Sequence, residues 1–300
     1  MPALSQQLVN GLAWGSIYAL IALGYSMVYG VLRLINFAHG DVYMVGAMSA
    51  FYAAHWLGFA AAPSAFGFAI VMLVAMITCA LLGALIEAVA YRPLRHRPRS
   101  SMLITAIGVS MLLEFGGQRV FGPDPKFFPQ LVESRSLFAA GSAVLTNVDA
   151  MVIVVSLGLM LALRWVVFRT KIGLALRAVS FDADTAALMG INPNTVIAAT
   201  FMLGSALAAA AGAMVGLRNP KIDPLMGIMP GIKAFVAAVL GGIGSFPGAV
   251  VGGLLMGITE TLVAAYLSST YRDAVAFVIL IGVLLVRPGG LFGRVAVEKV

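Results

Sequence analysis

The 300-residue sequence has few charged residues and a single cysteine. Asp, Glu, Lys and Arg make up 10% of the chain, against about a quarter in soluble domains, whereas 61% of the residues are apolar. The lone Cys79 excludes an intrachain disulfide and a cysteine-based metal site. This composition excludes an ordinary soluble domain and predicts a protein that lies within a lipid bilayer.

Motifs of enzymes and nucleotide-binding proteins are also missing. The sequence contains no GxxxxGK[ST] phosphate loop, no HExxH and no GxSxG, and His39, His55 and His96 are too scattered to ligate one metal. The net charge of +7 does not indicate nucleic-acid binding, because the basic residues fall in short loops between apolar segments. We therefore expect no enzyme, no bound metal or cofactor in this chain, and no nucleic-acid partner.

Apolar segments of about twenty residues recur along the chain, each long enough to cross roughly 30 Å of hydrocarbon. We expect an all-α polytopic membrane protein with eight to ten transmembrane helices, in which residues 1–300 form one transmembrane domain in contact with lipid. The clearest predicted spans cover residues 8–32, 34–58, 66–90, 102–121, 150–168, 196–217 and 274–286. Basic loops follow the third and fifth spans, so the positive-inside rule predicts cytoplasmic loops there, a cytoplasmic C-terminus and an outer N-terminus.

Polar residues cluster at the start of the second span, in RLINFAHGDVYMVGAMSAF. On one straight helix Asn36, His39 and Tyr43 would share a face about 60° wide, whereas Asp41 would point elsewhere. We therefore expect the helix to break at Gly40, with Asp41 capping the second half-helix. All five residues are candidates for a translocation pathway. Hydrogen bonds that tie the second span to the first would equally explain Asn36 and His39.

A second interruption is predicted in residues 240–253, LGGIGSFPGAVVGG, where Gly244, Pro247 and Gly248 lie between two apolar runs. Short or interrupted spans point to a transport pathway, because irregular backbone at membrane depth must be buried in protein or line a cavity. A simple cytoplasmic turn explains the same pattern equally well. The GxxxG spacing from Gly253 to Gly257 predicts close packing of helices.

Three acids lie within or beside predicted spans. Glu87 precedes the basic loop that contains Arg92, and Glu114 precedes Arg119 by five residues, so local ion pairs explain both. Glu260 has no basic residue close to it in the sequence, and it remains a pathway candidate.

The second basic loop, residues 169–195, contains a predicted short amphipathic helix from about Asp182 to Met189 that ends at Gly190. Such a helix could bind a partner protein, or it could lie in the membrane interface.

Three motifs resemble those of a known family: INFAHGDVYMVGA in the second span, GGIGSFPGAVVGGLLMG, which contains the second predicted interruption, and RPGGLFG near the C-terminus. Together they are similar to the membrane permeases of branched-chain amino acid ABC importers of the LivH type. The resemblance covers essentially the whole chain. The basic loop is also similar to the coupling motif of ABC importers, Glu-Ala-Ala, three residues and Gly, with Asp184, Thr185, Ala186 and Gly190 in those places.

The resemblance implies a bacterial inner-membrane permease that moves branched-chain amino acids by alternating access. It implies a second related permease, two cytoplasmic ATPases that use ATP, and a periplasmic substrate-binding protein. The contact with an ATPase is expected at Asp182, Asp184, Ala186, Ala187 and Gly190. Permeases for urea, amides or aromatic acids share these motifs. Two alternatives belong to classes other than ABC permeases. The chain could be an ion-coupled carrier that acts alone, or a membrane scaffold without transport activity.

Overall fold

The apolar segments fold into helices in a computed structural model that describes residues 3–95, 97–140, 143–287 and 289–293. The helices are α1 (Leu4–Leu32), α2 (His39–Trp56), α3 (Ala65–Ile86), α4 (Arg99–Phe121), α5 (Asn147–Arg169), α6 (Lys171–Phe181), α7 (Ala183–Leu188), α8 (Pro193–Arg218), α9 (Ile228–Gly241), α10 (Phe246–Tyr266) and α11 (Ala274–Val286). A π-helical turn, Glu87–Tyr91, and a 3-10 turn, Arg92–Leu94, continue α3, and another 3-10 turn is Ser269–Tyr271. Short strands are β1 (Lys126–Phe127), β2 (Ser136–Ala140), β3 (Ala143–Thr146) and β4 (Lys221–Ile222).

Six of these helices are long and apolar enough to cross a membrane, namely α1, α3, α4, α5, α8 and α10. Helices α9 and α11 are apolar but shorter, and α2 carries His39, Asp41 and His55. The prediction of an all-α, multi-pass membrane protein is therefore confirmed. The span predicted over residues 34–58 starts later than expected, because residues 33–38 are not helical and α2 begins at His39.

Contacts between loops define the two ends of the bundle. At the end that we call the basic-loop end, Arg95 Nη1 donates to Asn194 Oδ1 over 2.5 Å and joins the two basic loops. At the opposite end, the hairpin end, β2 pairs with β3 and β1 pairs with β4. The loops therefore alternate between ends as predicted. His96 and residues 294–300 lie outside the described part of the chain, so the cytoplasmic C-terminus stays a prediction.

Small residues allow α1 and α10 to pack backbone against backbone. A Cβ atom added to Gly253 would lie 2.4 Å from Ala19 Cα, and one added to Gly257 would lie 2.3 Å from Gly15 Cα. Such distances leave room for hydrogen only, so the predicted packing role of the GxxxG spacing is confirmed. Together with α8, which is also mostly buried, α1 forms the centre of the bundle.

Helix α2 begins inside the bundle and not at its surface. The His39 ring touches Gly24 of α1, which in turn packs against Gly204 of α8. At about 1.5 Å per residue, Gly204 lies about 16 Å from the start of α8 and about 21 Å from its end. Residues 33–38 therefore return from the basic-loop end to the middle of the bundle, where α2 starts. Non-helical backbone at this depth is tolerated because protein surrounds it.

Candidate translocation site

The first turns of α2 and α9 meet at the middle of the bundle. A Cβ atom added to Gly40 would lie 2.7 Å from the carbonyl oxygen of Gly227 and 2.9 Å from Gly231 Cα. The expected break at Gly40 is wrong, because the Ala38 carbonyl accepts from the Val42 N–H and Gly40 already lies in the first helical turn. Gly40 is needed because a side chain there would separate the two helices.

Asp41 does not cap α2. The N-cap position is Ala38, and no side chain makes a capping hydrogen bond there, so the predicted role of Asp41 is wrong. Instead, Asp41 Oδ2 accepts from Ser110 Oγ of α4 over 2.5 Å, and the side chain is almost fully buried. A carboxylate in the first turn of α2 also lies at the positive end of the helix dipole, which stabilises its charge.

Asp41 faces a cavity of about 260 Å³ between α2, α4 and α9, which we call the junction cavity. Its polar side chains include Ser110 and Glu114 as well as Asp41, and no Lys or Arg is among the described residues that line it. The apolar wall consists of Phe37, Ile107, Met111, Ile228, Ile232 and Phe235. Two carboxyl groups thus share an apolar cavity without a cation.

Glu114 lines the junction cavity, and within the described residues it makes no ion pair with Arg119. The predicted local pair is therefore wrong. Sequence reasoning missed Glu114 as a site residue, although its spacing of four residues from Ser110 places both side chains on one face of α4. By contrast, the predicted pair of Glu87 is confirmed: its carboxylate lies 2.7 Å from Arg92 Nη2 and also contacts Arg95.

A second cavity of about 810 Å³ lies at the basic-loop end, and its wall includes Gly30, Arg33 and Gly244. Phe235 lines both this cavity and the junction cavity. Its ring centroid lies 6.0 Å from that of Tyr25 and 6.5 Å from that of Phe37. The three rings thus form an aromatic part of the junction-cavity wall, and Phe235 is the residue of that wall that also lines the second cavity.

The other predicted residues of the second span lie outside the junction cavity. Asn36 precedes α2 and accepts from the Tyr91 hydroxyl over 2.9 Å. The His39 ring packs edge-on against Tyr25 at 4.7 Å, and Tyr43 is 1% exposed. All three are buried among helices, as a role in packing requires. Asn36 contacts the segment after α3, however, and not the first span as expected.

Residues 242–245 form a tight turn between α9 and α10 at the basic-loop end. Gly242 and Gly244 have positive φ angles of 100° and 86°, and Ser245 Oγ accepts from the Gly248 N–H to cap α10. Pro247 lies in the first turn of α10, where a backbone N–H would have no hydrogen-bond partner within the helix, so proline is tolerated there. Gly244 lines the second cavity, whereas none of these residues lines the junction cavity. Of the two interpretations of this segment, the structure therefore favours the turn over the interrupted span.

Glu260 belongs to a buried ion cluster and does not line the junction cavity. Its Oε1 atom lies 2.9 Å from Lys233 Nζ and also contacts the Arg272 guanidinium, while Lys233 Nζ lies 2.6 Å from Asp273 Oδ1. Glu260 is 1% exposed. Its partners come from α9 and from the segment before α11, so they are distant in sequence. The cluster ties α9, α10 and that segment together.

The helix predicted from about Asp182 to Met189 is α7. Asp182 Oδ1 accepts from the backbone N–H groups of Asp184 and Thr185, and Asp182 Oδ2 accepts from the Thr185 hydroxyl over 2.8 Å. Because these bonds favour the charged form, the pKa of the Asp182 carboxyl is lowered, chiefly by Thr185. The helix ends before Gly190, which has a φ of 84° that only glycine adopts readily.

The exposed surface of α7 is small and partly apolar. Ala186 is buried against the bundle, whereas Asp184, Ala187 and Gly190 are exposed. Leu188 is 88% exposed at the same surface. The preceding amphipathic helix α6, which was not expected, packs α7 onto the bundle through its buried residues Gly173, Leu176 and Val179.

The molecule has several apolar spans and two helices, α2 and α9, that begin inside the bundle and meet at a partly polar cavity. This architecture is that of a membrane transport protein. The model of the family described as "Branched-chain amino acid transport system / permease component" matches residues 7–284. The chain belongs to this family, and it is a multi-pass membrane permease component of a transport system.

Curated relatives align along nearly their whole length. The chain is 45% identical to the high-affinity branched-chain amino acid transport system permease protein BraD of Pseudomonas aeruginosa, covering 98% of this chain and 97% of the relative. It is 44% identical, with the same coverage, to the permease protein LivH of Salmonella typhimurium. A probable LivH permease of Methanocaldococcus jannaschii is 27% identical over 95% of this chain and 91% of the relative. These relatives are named as transport permeases and not as enzymes.

Proposed function

We propose that this chain is the membrane-spanning permease subunit of an ABC importer, and that it carries leucine, isoleucine and valine across the bacterial inner membrane. The family and the names of the relatives support this proposal. Partner ATPases supply the energy from ATP, so that the permease itself needs no ATPase site. Residues 1–300 act as one permease domain that alternates between an outward-open and an inward-open state.

The partners contact opposite ends of the bundle. A second related permease completes the membrane part. Two cytoplasmic ATPases bind the loop of residues 169–195, where the exposed Asp184, Ala187 and Gly190 and the apolar Leu188 support a docking role for α7. Asp182 and Ala186 act by fixing α7 through its cap and its buried face. A loaded periplasmic binding protein contacts the hairpin end.

The junction cavity holds the amino acid on its way through the membrane. The observation that carries this step is the presence of two carboxyl groups in an apolar cavity lined by no described cation. The substrate's ammonium group supplies that missing charge at Asp41 and Glu114. The start of α9, which has no side-chain cap and no acid in its first turn, faces the substrate's carboxylate. The apolar wall contacts the aliphatic side chain.

Reconstitution tests this function. Proteoliposomes that contain both permeases, both ATPases and the loaded binding protein are expected to take up radiolabelled leucine when ATP is present. Omission of the ATPases or the binding protein is expected to abolish uptake. Isoleucine and valine should compete with leucine, whereas urea should not, because it has no ammonium group. Leucine uptake driven by an ion gradient in proteoliposomes with this chain alone would contradict the proposal and favour a secondary carrier.

A further inference from the structure

Arg164 is a cation within a membrane-spanning helix. It lies five residues before Arg169, the last residue of α5, and therefore about 7.5 Å inside the helix end. Both arginines are exposed, and within the described residues neither forms an ion pair. An ionisable side chain at this depth requires a partner or a functional reason.

Both arginines line a groove between α5 and α10 with a volume of about 760 Å³. Its inner wall is apolar and is formed by Leu157, Leu161, Val250 and Val251. From Leu157 to Arg169 the groove follows α5 for about 18 Å, which matches the thickness of roughly one leaflet of a 30 Å hydrocarbon core. The dimensions and chemistry of this wall suit an acyl chain.

The mouth of the groove suits a headgroup with negative charge. Trp165, 62% exposed, lies beside Arg164 at the depth where tryptophan anchors membrane proteins to the interface. Phe246 and Pro247 bring the first turn of α10 to the same mouth, and with it the positive end of a helix dipole. No acid is among the described residues that line the groove.

We propose that this groove binds one anionic phospholipid, with its phosphate between Arg164 and Arg169 and one acyl chain along α5 and α10. Basic pockets between transmembrane helices recognise anionic headgroups in this way. The lipid supplies the negative charge that Arg164 lacks, and its acyl chain covers the apolar wall. Neither a free phosphate nor a soluble peptide would account for both the arginines and the wall.

Native mass spectrometry of the purified full-length permease tests this site. The protein is delipidated and incubated with equal amounts of phosphatidylglycerol and phosphatidylcholine. Retention of one phosphatidylglycerol molecule per chain is expected, with at least about a tenfold preference over phosphatidylcholine from two arginines. The double variant Arg164→Gln/Arg169→Gln is expected to lose that preference. Arg97→Gln, which changes an exposed arginine of the other basic loop, is the matched control and should retain it.

A further variant separates lipid binding from folding and from anion binding. Leu161→Trp fills the apolar wall and keeps both arginines, so it should weaken retention of the whole lipid while the protein elutes as a single folded species. Equal retention of the two lipids by the wild type would overturn the proposal. So would unchanged retention in the double variant, or displacement of phosphatidylglycerol by an equal concentration of inorganic phosphate, which would indicate an anion site without a lipid.

Discussion

Replacing Gly40 with alanine tests the contact between α2 and α9 on which the junction cavity depends. The new Cβ would lie 2.7 Å from the Gly227 carbonyl oxygen and 2.9 Å from Gly231 Cα, whereas ordinary contacts begin at 3.4 Å. Both neighbours are backbone atoms, so no side-chain rotation relieves the overlap. The two helices must separate by about 0.7 Å, and overpacking of this kind costs about 1–3 kcal/mol.

The assay compares thermal unfolding and leucine uptake in the complete, reconstituted importer. Gly40→Ala is expected to lower the apparent melting temperature by about 2–4 °C for each kcal/mol lost and to reduce uptake strongly, because the cavity wall shifts. Gly158→Ala is the matched control, since it lies within α5 and an added Cβ meets nothing within 4 Å. Wild-type stability and uptake in Gly40→Ala would refute the close contact.

Three further predictions concern other parts of the molecule. Phe235→Ala removes the ring shared by the two cavities, and we expect leucine to leak from preloaded proteoliposomes without ATP; an unchanged leak rate would argue against a barrier there. Glu260→Gln removes the buried negative charge that faces Lys233 and Arg272 and leaves Asp273 as the acid that still pairs with Lys233, and we expect a loss of about 1–3 kcal/mol in unfolding free energy. Adding Lys233→Met should recover part of that loss, and a double variant less stable than Glu260→Gln would count against the pair. Gly190→Val forces a β-branched residue into a positive φ, so we expect weaker co-purification of the ATPases with a folded permease; normal co-purification would exclude a docking role for this turn.

Features set by neighbouring residues could be predicted from the sequence. The long apolar runs predicted the spans, because each run must cover the hydrocarbon core on its own. Helix α7 was predicted because its cap at Asp182 and its glycine stop at Gly190 are local signals. The pair between Glu87 and Arg92 was also predictable, since five residues separate them.

Features set by contacts between distant segments could not be predicted. Gly40 contacts Gly227, far along the chain, and this contact, not local backbone flexibility, explains why position 40 needs a glycine. The partners of Glu260 lie 12 and 27 residues away, so its sequence neighbourhood suggested that it had none. Glu114 had an arginine five residues away, but the fold turned its side chain toward the junction cavity.

The central claim is that Asp41 binds the substrate's ammonium group, and leucine uptake by Asp41→Asn in the reconstituted importer tests it most directly. Asparagine keeps the shape of the side chain and can still accept from Ser110, but it removes the negative charge. We predict that uptake falls to the level of Asp41→Ala, while the protein stays folded and ATPase binding is unchanged. Near-normal uptake by Asp41→Asn together with failure of Asp41→Ala would contradict the claim, since it would show that Asp41 acts only through its hydrogen bond.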